Sequence, residues 1–344
     1  MKILLGVQGT GNGHLSRCSA LVEALERYQV DVDVLISGRA PEQLFDVDSF
    51  GDYRCMSGLT FATSRGKIDV SATLKSNAWQ QFWRDYHRLD LTPYDLIVSD
   101  FEPITAWAAR KQRRRCIGIG RQYAFCSALP QAEVRATQRW FIQQFAPATD
   151  VLGMHWVEAD GVLPPIIHQR GRRLPALPQQ VLVYLPFESL DDIRHWLAPL
   201  TDYQFSIFHP QAKRGQAGHL QFFAPSRVGF AEQFSQASAV ISNAGFETTS
   251  EALSQGKKLL VKPLHGQFEQ RVNASLLEAY GLGSFHHQLS DVKIRQWLSH
   301  ARSSQLHWPN VAEAVADWLA SGAQRPATEL ARTLWQQSRI RRVA

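Results

Sequence analysis

The stretch Lys2–His14, KILLGVQGTGNGH, joins an unbroken apolar run to a glycine-rich loop. Such a run is typical of a strand buried on both faces, as in a parallel sheet. Leu15–Leu25 then places apolar residues at helical spacing, and Val30–Ile36 returns to a strand pattern. Strand, loop, helix and strand form a βαβ unit. The N-terminal half is therefore predicted to be an open α/β sheet.

The same alternation continues along the chain. Further buried strands are predicted at Tyr94–Ser99, Cys116–Gly120, Val181–Leu185, Gln204–Phe208, Ala239–Ser242 and Lys258–Lys262. A stretch rich in proline and arginine, 166–180, is typical of an interdomain linker. The sequence thus predicts two α/β domains, residues 1–165 and 181–324, on either side of this linker. A C-terminal helix at about 325–344 is expected to pack back on the N-terminal domain.

Composition indicates a globular protein of 344 residues, 44% hydrophobic and 20% charged. No apolar run approaches the roughly 18 residues that a membrane span needs. The N-terminus carries no signal-peptide pattern, and the four cysteines show no CxxC spacing. These features predict a soluble cytoplasmic protein without a disulfide or zinc framework.

Basic and aromatic clusters leave the partners open. The formal net charge is +6, with arginine clusters at Arg113–Arg115, Arg170–Arg173 and Arg339–Arg342. They suit a phosphorylated substrate or an anionic membrane face, or are a solvated surface. No nucleic-acid motif accompanies them, so no nucleic-acid partner is predicted. The aromatic stripe of Trp79–Leu89 favours a core-facing helix, but an exposed face would receive an apolar acceptor or the inner membrane surface.

The loop Gly9–His14 is one candidate ligand site, because ligands of open parallel sheets bind beyond the carboxyl ends of the strands. Its glycines, Gly13 included, let the backbone approach a ligand such as the donor closely. The spacing is not GxGxxG, and Ile36–Arg39 ends the second strand without an acid. Nicotinamide binding therefore loses support.

His14 is a candidate general base, since an unperturbed imidazole titrates near neutrality; capping or packing is the alternative. A carboxylate from Asp100 or Glu102, after another predicted strand, would orient the ring or act as the base itself. This arrangement requires the two strands to be neighbours.

The loop after Ala239–Ser242 is the second candidate. Gly245, with Thr248 and Thr249 on the first turn of the next helix, predicts a diphosphate cradle of free N–H groups and hydroxyls.

Carboxylate and amide side chains follow this cradle. Glu251, one turn further on, is expected to accept hydrogen bonds from ribose hydroxyls. Glu269 and Gln270, after the next strand, are expected to bind sugar hydroxyls.

Two motifs carry a family resemblance. The loop GxGxGH and the run SNAGxxTxxEALxxGxxxLxxPxxxxxEQxxNA (Ser242–Ala274) resemble GT-B fold glycosyltransferases. The pattern is similar to the peptidoglycan lipid-intermediate GlcNAc transferase and the UDP-glycosyltransferases. GxGNGHxxR and SDFEP also resemble a poorly characterised microbial glycosyltransferase-like group.

The resemblance implies two Rossmann-like parallel-sheet domains facing across a cleft, with the acceptor on the N-terminal one and the donor on the other. It implies a base at His14 and uracil-type recognition by the backbone around Val228–Phe230. The donor contacts that it implies by position are Asn243, Gly245, Thr248, Glu251, Glu269, Gln270, Asn273 and Phe230. The family pattern requires no metal, and the only co-substrate implied is a nucleoside-diphosphate sugar. Asn243-Ala244 stand where a histidine or arginine is usual, which removes an expected phosphate contact.

The sequence therefore predicts a metal-independent, inverting glycosyltransferase that moves a sugar from a UDP-linked donor to an unknown hydroxyl of a glycan, lipid-linked or small-molecule acceptor. Two alternatives stay open: a nucleotide-sugar epimerase or hydrolase on the same fold, and a non-catalytic nucleotide-sugar sensor.

Overall fold

A computed structural model describes residues 1–44, 47–60, 63–64, 67–68, 78–127, 129–130, 132–168 and 174–343 of the chain. The predicted cluster Arg170–Arg173 and the centre of the predicted linker lie outside the described residues. The chain divides into two compact units. The first consists of the described parts of Met1–Thr63, Ile68–His168 and Trp308–Ser338; the second takes Ser64–Lys67, Gln169–His307 and Arg339–Ala344.

Residues up to His168 alternate strands and helices. In chain order these are β1 (Lys2–Gln8), α1 (Asn12–Arg27), β2 (Asp31–Ser37), β3 (Tyr53–Met56), β4 (Thr63–Ser64), β5 (Lys67–Ile68), α2 (Trp79–Arg88), β6 (Leu96–Asp100), α3 (Pro103–Lys111), β7 (Cys116–Gly120), α4 (Arg121–Ala124), α5 (Ala136–Phe145), β8 (Asp150–Met154) and β9 (Val162–Leu163). Seven of the strands form one sheet in the order β3-β2-β1-β6-β7-β8-β9, and every neighbouring pair is parallel. β4 and β5 pair separately.

The first sheet is built around β1, which is buried along Ile3–Gln8. Gly6 lets α3 lie directly on this strand, because a Cβ there would come within 2.5 Å of the Thr105 hydroxyl. Chain order reverses between β1 and β6. Such a switch point is where open α/β sheets bind ligands, beyond the carboxyl ends of the strands.

The remaining elements continue the pattern. They are β10 (Leu177–Tyr184), α6 (Leu190–Leu197), β11 (Gln204–Phe208), β12 (Gly215–Ala217), β13 (Leu220–Phe223), α7 (Arg227–Gln236), β14 (Ala237–Asn243), α8 (Phe246–Ser254), β15 (Lys258–Lys262), α9 (Phe268–Ala279), β16 (Ser284–Phe285), α10 (Asp291–His300), β17 (Ser303–His307), α11 (Val311–Ala320), α12 (Ala327–Gln337) and β18 (Arg339–Val343). The second sheet has the order β12-β13-β11-β10-β14-β15-β16. All its pairs are parallel except β12 with β13. Its switch point lies between β10 and β14.

The C-terminal segment corrects two expectations. α11, which the sequence placed with the C-terminal half, packs against α1. The predicted helix over about 325–344 ends at Gln337, because Ser338 turns to extended dihedrals (φ −80°, ψ 145°). The following residues pair antiparallel with β17 as β18, so the terminal arginines lie on a strand and do not cap a helix. α12 itself contacts β8 and β9, where Trp335 Nε1 donates to the Val162 carbonyl over 2.6 Å.

The predicted linker also ends earlier than expected, since β10 begins at Leu177. Across the described ranges, no helix combines the length and the apolar character needed to cross a membrane.

Candidate active site

The turn between β1 and α1 is held in place by Arg39. Its Nη1 donates to Asn12 Oδ1 and its Nη2 to the Thr10 carbonyl, each over 2.9 Å. The residue that replaces the acid of a nicotinamide site therefore clamps the glycine loop. α1 starts from extended dihedrals at Gly11, and this start places His14 on the first turn of the helix, beyond the end of β1.

His14 and Asp100 are brought together because β1 and β6 are neighbours, with Val7 opposite Asp100. His14 Nδ1 lies 2.7 Å from Asp100 Oδ1. Asp100 is 1% exposed and His14 is 9% exposed. A buried carboxylate at this distance orients the imidazole ring, and it leaves Nε2 as the nitrogen that can exchange a proton with a ligand.

Two further side chains of α1 complete what we call the His14 cluster: His14, Arg17, Cys18 and Asp100. Arg17 Nε donates to Asp100 Oδ2 and Arg17 Nη2 to Oδ1, both over 2.5 Å. The Cys18 thiol donates to Oδ2 over 3.0 Å. Burial alone would raise the pKa of Asp100, but the charges and hydrogen bonds of Arg17 and His14 outweigh it. The pKa of Asp100 is therefore well below its ordinary value, and the carboxylate is ionised.

Backbone geometry on both sides of Asp100 is unusual. Phe101, the next residue, has a positive φ of 51°, and its ring is held against Phe145 (4.9 Å between centroids) and Tyr123 (5.5 Å). Gly120, at the end of the neighbouring strand β7, has φ 154° and ψ 157°, a region open essentially to glycine alone. Conformations of this kind persist where the surrounding structure enforces them, and they concentrate at functional sites.

Glu102 caps a helix, and this role corrects the expectation that it could act as the base. It is fully buried and caps α3, accepting from the N–H groups of Ile104 (2.8 Å) and Thr105 (2.7 Å). The Ser37 hydroxyl donates to the same carboxylate over 2.5 Å. Burial raises the pKa of Glu102 above its ordinary value, against the lowering effect of these hydrogen bonds. A carboxylate enclosed in this way is a helix cap.

The second candidate site is the Gly245 turn, which we define as Asn243–Thr248. Gly245 is the N-cap of α8, with extended dihedrals (φ −73°, ψ 142°) and no side chain of its own to cap the helix. A Cβ added to Gly245 would meet nothing within 4 Å. The space beside Gly245 at the N-terminus of α8 is therefore open, and a helix N-terminus is where an anion is favoured.

Amide side chains fix the backbone of this turn. Asn273 Nδ2 donates to the Ala244 carbonyl over 2.7 Å, and Asn243 Nδ2 donates to the Lys262 carbonyl over 2.9 Å. In the loop that follows β15, Gln270 Oε1 accepts from the Leu264 N–H over 3.0 Å. Asn273 and Gln270 are buried, so the structure gives them a positioning role, in place of the direct donor contacts that the resemblance implies.

The remaining predicted donor residues divide by exposure. Thr248, Glu251 and Glu269 are partly exposed. Thr249 is fully buried, and its hydroxyl has no hydrogen-bond partner among the described residues. The cradle role predicted for Thr249 is therefore corrected, because its side chain points into the unit; Thr248 is the accessible hydroxyl.

The segment Val228–Phe230 also differs from expectation. It is the first turn of α7, with its Gly229 and Phe230 N–H groups donating to Ser226. These groups are not available to a base. The Phe230 ring lies edge-on to Tyr184 (5.4 Å).

A charged pair at the end of the second sheet was not predicted. Lys262 Nζ lies 2.7 Å from Glu188 Oε1, with both side chains about 15% exposed (16% and 14%). The pair borders a cavity of about 530 Å³. Its other lining residues are Asp192, Trp196, Pro263, His265, His287, Gln288 and Leu289. Lys257 and Lys258, which the sequence also offers as replacements for the missing phosphate contact, donate to backbone carbonyls.

Sequence reasoning assigned no role to Arg17, and it offered Lys262 only as one of three lysines that could replace the missing phosphate contact. Arg17 had an available signal, because it stands three residues after His14 on a predicted helix and so shares its face. The ion pair of Lys262 had no signal, since its partner Glu188 is 74 residues away in the chain.

Comparisons with known proteins agree with this architecture. Three solved structures are similar over nearly the full length of both chains. The glycotransferase of kitacinnamycin has a TM-score of 0.61 at 15% identity (98% of each chain covered). LpCGTa in complex with UDP has 0.59 at 14% (98% of each), and MurG of Acinetobacter baumannii has 0.56 at 15% (97% of this chain, 99% of the other). No curated protein matches.

These likenesses show the fold: an α/β protein with two parallel-dominated sheets, as in GT-B glycosyltransferases. The family model described as Glycosyl transferase family 1 matches residues 1–301, which is most of the chain. The protein is a glycosyltransferase that belongs to glycosyl transferase family 1.

Proposed function

We propose that this glycosyltransferase moves a sugar from a UDP-linked donor to a hydroxyl of its acceptor, with His14 as the general base. The observation that carries the proposal is the buried His14–Asp100 contact of 2.7 Å at the switch point of the first sheet. It supplies an imidazole oriented by an ionised carboxylate, which is the arrangement that activates a hydroxyl nucleophile.

The Gly245 turn is the proposed diphosphate site. The positive end of the α8 dipole at this turn favours an anion, and Thr248 adds an accessible hydroxyl. Glu251, one turn along α8, and Glu269, on the first turn of α9, are the proposed acceptors for ribose and sugar hydroxyls. LpCGTa, a structural neighbour, was solved with UDP, which supports a uridine nucleotide as the first to test. The motif resemblance to UDP-glycosyltransferases points to the same nucleotide.

The proposed reaction is one displacement that needs no metal. The acceptor oxygen attacks the anomeric carbon as its proton passes to His14 Nε2, and the bond from that carbon to the diphosphate oxygen breaks. The electron pair leaves with the diphosphate, whose charge the α8 N–H groups stabilise. A single displacement inverts the anomeric centre.

The acceptor class is proposed from the surface of the first unit. Trp79 and Trp83 on α2 and Trp140 on α5 are 45%, 56% and 63% exposed, while Phe82 on α2 is buried. The stripe predicted to face the core therefore divides, and its tryptophans face outward. Exposed tryptophans beside arginines such as Arg84 and Arg139 suit a lipid-linked acceptor at a membrane surface.

The first test is calorimetric titration of UDP, GDP, ADP, TDP and CMP into the wild type and into Glu251→Ala. We expect UDP to bind at micromolar strength and Glu251→Ala to weaken it at least tenfold, about 1.4 kcal/mol. Binding of another nucleotide in place of UDP would overturn the assignment of the donor base.

A second test separates a transferase from its alternatives. His14→Ala is expected to lower sugar transfer by about 10²–10⁴-fold and to leave UDP binding intact, whereas a sensor would keep its full response. Release of free sugar from the donor at the same rate with and without acceptor would identify a hydrolase.

A further inference from the structure

Two contacts compete for one nitrogen in the His14 cluster. His14 Nδ1 lies 2.7 Å from Asp100 Oδ1 and 2.6 Å from Arg17 Nη2. A guanidinium only donates and an ionised carboxylate only accepts. Nδ1 therefore either carries a proton and donates to Asp100, or lacks one and accepts from Arg17. The choice decides the function of the ring, because a neutral imidazole with its proton on Nε2 cannot act as a base through that atom.

The hydrogen-bond inventory of Asp100 favours the first arrangement. Each carboxylate oxygen has two contacts: Oδ1 with Arg17 Nη2 and His14 Nδ1, and Oδ2 with Arg17 Nε and Cys18 Sγ. A proton on Nδ1 makes all four of them donor-to-carboxylate bonds, three of nitrogen and one of sulfur. Without it, the 2.7 Å contact between Nδ1 and the ionised Oδ1 would join two acceptors, and the ring would gain in exchange one charge-assisted bond from Arg17 Nη2. With it, Nδ1 and Arg17 Nη2 are two donors 2.6 Å apart that share Oδ1 as their acceptor.

Arg17 is what keeps this arrangement in place. Asp100 is 1% exposed, and burial without a cation favours the protonated carboxyl. A protonated Asp100 would donate its own O–H to Nδ1, and the proton of neutral His14 would then reside on Nε2. The fork of Arg17 supplies the compensating charge through two parallel bonds and fixes the plane of the carboxylate.

We propose that Arg17 is a positioning residue that selects the base-competent tautomer of His14 by holding Asp100 as a pure acceptor. The inference deepens the proposed function and rests on it for its kinetic consequence. Its structural content, the location of the His14 proton, is independent of any activity.

The first experiment reads that proton directly in the wild type. Nitrogen-15 NMR of histidine-labelled protein distinguishes the protonated from the unprotonated ring nitrogen, and the spectrum of His14→Gln assigns the His14 signals. We expect neutral His14 to carry its proton on Nδ1. A proton on Nε2 would overturn the proposal, because Arg17 would then be donating to Nδ1.

The second experiment uses variants of Arg17. Arg17→Gln is expected to lower kcat by about 10- to 100-fold, to leave the donor KM and UDP affinity within twofold, and to move the His14 proton toward Nε2. Arg17→Lys keeps the charge but not the fork, so it should recover part of kcat and most of the tautomer. Arg27→Gln is the matched control, since Arg27 lies on the same helix in an exposed ion pair with Glu313.

The outcomes separate the two proposals. An unchanged kcat and tautomer in Arg17→Gln would overturn the role of Arg17. If Arg17→Gln does not fold, the wild-type spectrum and Arg17→Lys decide. If His14→Ala transfers sugar normally, the proposed base is wrong, while the spectrum still reports whether Arg17 sets the tautomer.

Discussion

Asp100 and Asn243 occupy the same place in two similar sheets. Each ends the strand that lies across the switch point from the first strand of its sheet in the chain, β6 beside β1 and β14 beside β10. Asp100 is an ionised acid surrounded by donors, two of them from the guanidinium of Arg17. Asn243 is neutral and donates to the backbone at Lys262. One topology thus supports a charged side-chain cluster in the first unit and a largely backbone-built turn in the second.

The difference follows from what each site is proposed to bind. Proton transfer needs side chains whose charge the protein controls, so the His14 cluster is buried and internally compensated. A diphosphate brings its own negative charge, and a carboxylate at the position of Asn243 would repel it. Neutral amides at the Gly245 turn leave the N–H groups of α8 as the main positive feature.

Replacing Asp100 by asparagine should produce the largest effect, because it makes the first sheet resemble the second. We expect kcat to fall about 10²–10⁴-fold, since an amide no longer fixes the His14 tautomer. The buried Arg17 loses its counter-ion, which should cost about 3–5 kcal/mol in the free energy of unfolding. UDP affinity, measured by calorimetry, should stay within twofold.

Asp150→Asn is the matched control for this variant. Asp150 also pairs with an arginine, Arg115, at 2.9 Å, but both side chains are more than 40% exposed. Exposed pairs contribute about 0–1 kcal/mol. Loss of UDP binding in Asp100→Asn would show that the two units are coupled and that the proposed separation of base and donor sites is wrong.

Acid should affect the first unit through Asp100. Its folded pKa lies below the ordinary value of 3.8, so this carboxylate stabilises the fold above that pH and the contribution is lost as pH falls below it. Glu102 has the opposite sign, because its folded pKa is raised; its contribution is present at low pH and lost as pH rises past the raised value. Urea unfolding from pH 2 to 7 should show a loss of stability at the acid end, and the loss should be smaller in Asp100→Asn. A variant with the same acid loss as the wild type would contradict this origin.

Gly245→Ala tests the second unit alone. The dihedrals of Gly245 suit alanine, and the new methyl group would touch no protein atom within 4 Å, so the free energy of unfolding should hardly change. It would project into the space proposed for the diphosphate, and UDP affinity should fall about tenfold, or about 1.4 kcal/mol. Gly215→Ala, on exposed β12, is the control, with one neighbour at 3.9 Å. Unchanged UDP affinity in Gly245→Ala would place the phosphates elsewhere.

Much of the fold was accessible from sequence because its signals are local. Apolar runs and glycine loops predicted the parallel α/β strands, and β11 and β15 match their predicted bounds. The helix predicted for the terminal segment was wrong because the signal there is not local. Arg339–Val343 is a strand because it pairs with β17, more than 30 residues earlier in the chain.

The candidate sites show the same limit. His14 and Asp100 were predicted because each follows a recognisable strand, and the structure brings them together. The burial of Thr249 and the capping role of Glu102 depend on which face of a helix meets the sheet. Hydrogen-bonding residues near strand ends look alike in sequence, whether they face a ligand or the interior.

The smallest expected effect is that of Lys262→Met, and it is the one most able to break the comparison. Lys262 lies at the end of β15. Its positive charge could replace the phosphate contact of the histidine or arginine that is usual where Asn243 and Ala244 stand. Its ion pair with Glu188 at 2.7 Å already compensates that charge, so UDP affinity should fall about threefold at most. Lys258→Met is the control for loss of an ammonium group. Lys258 lies on the same strand as Lys262, and its ammonium donates to the Leu298 carbonyl. A loss above tenfold for Lys262→Met alone would mean that a side-chain charge, and not the backbone of the Gly245 turn, binds the diphosphate. The two units would then use the same chemistry at the ends of their sheets.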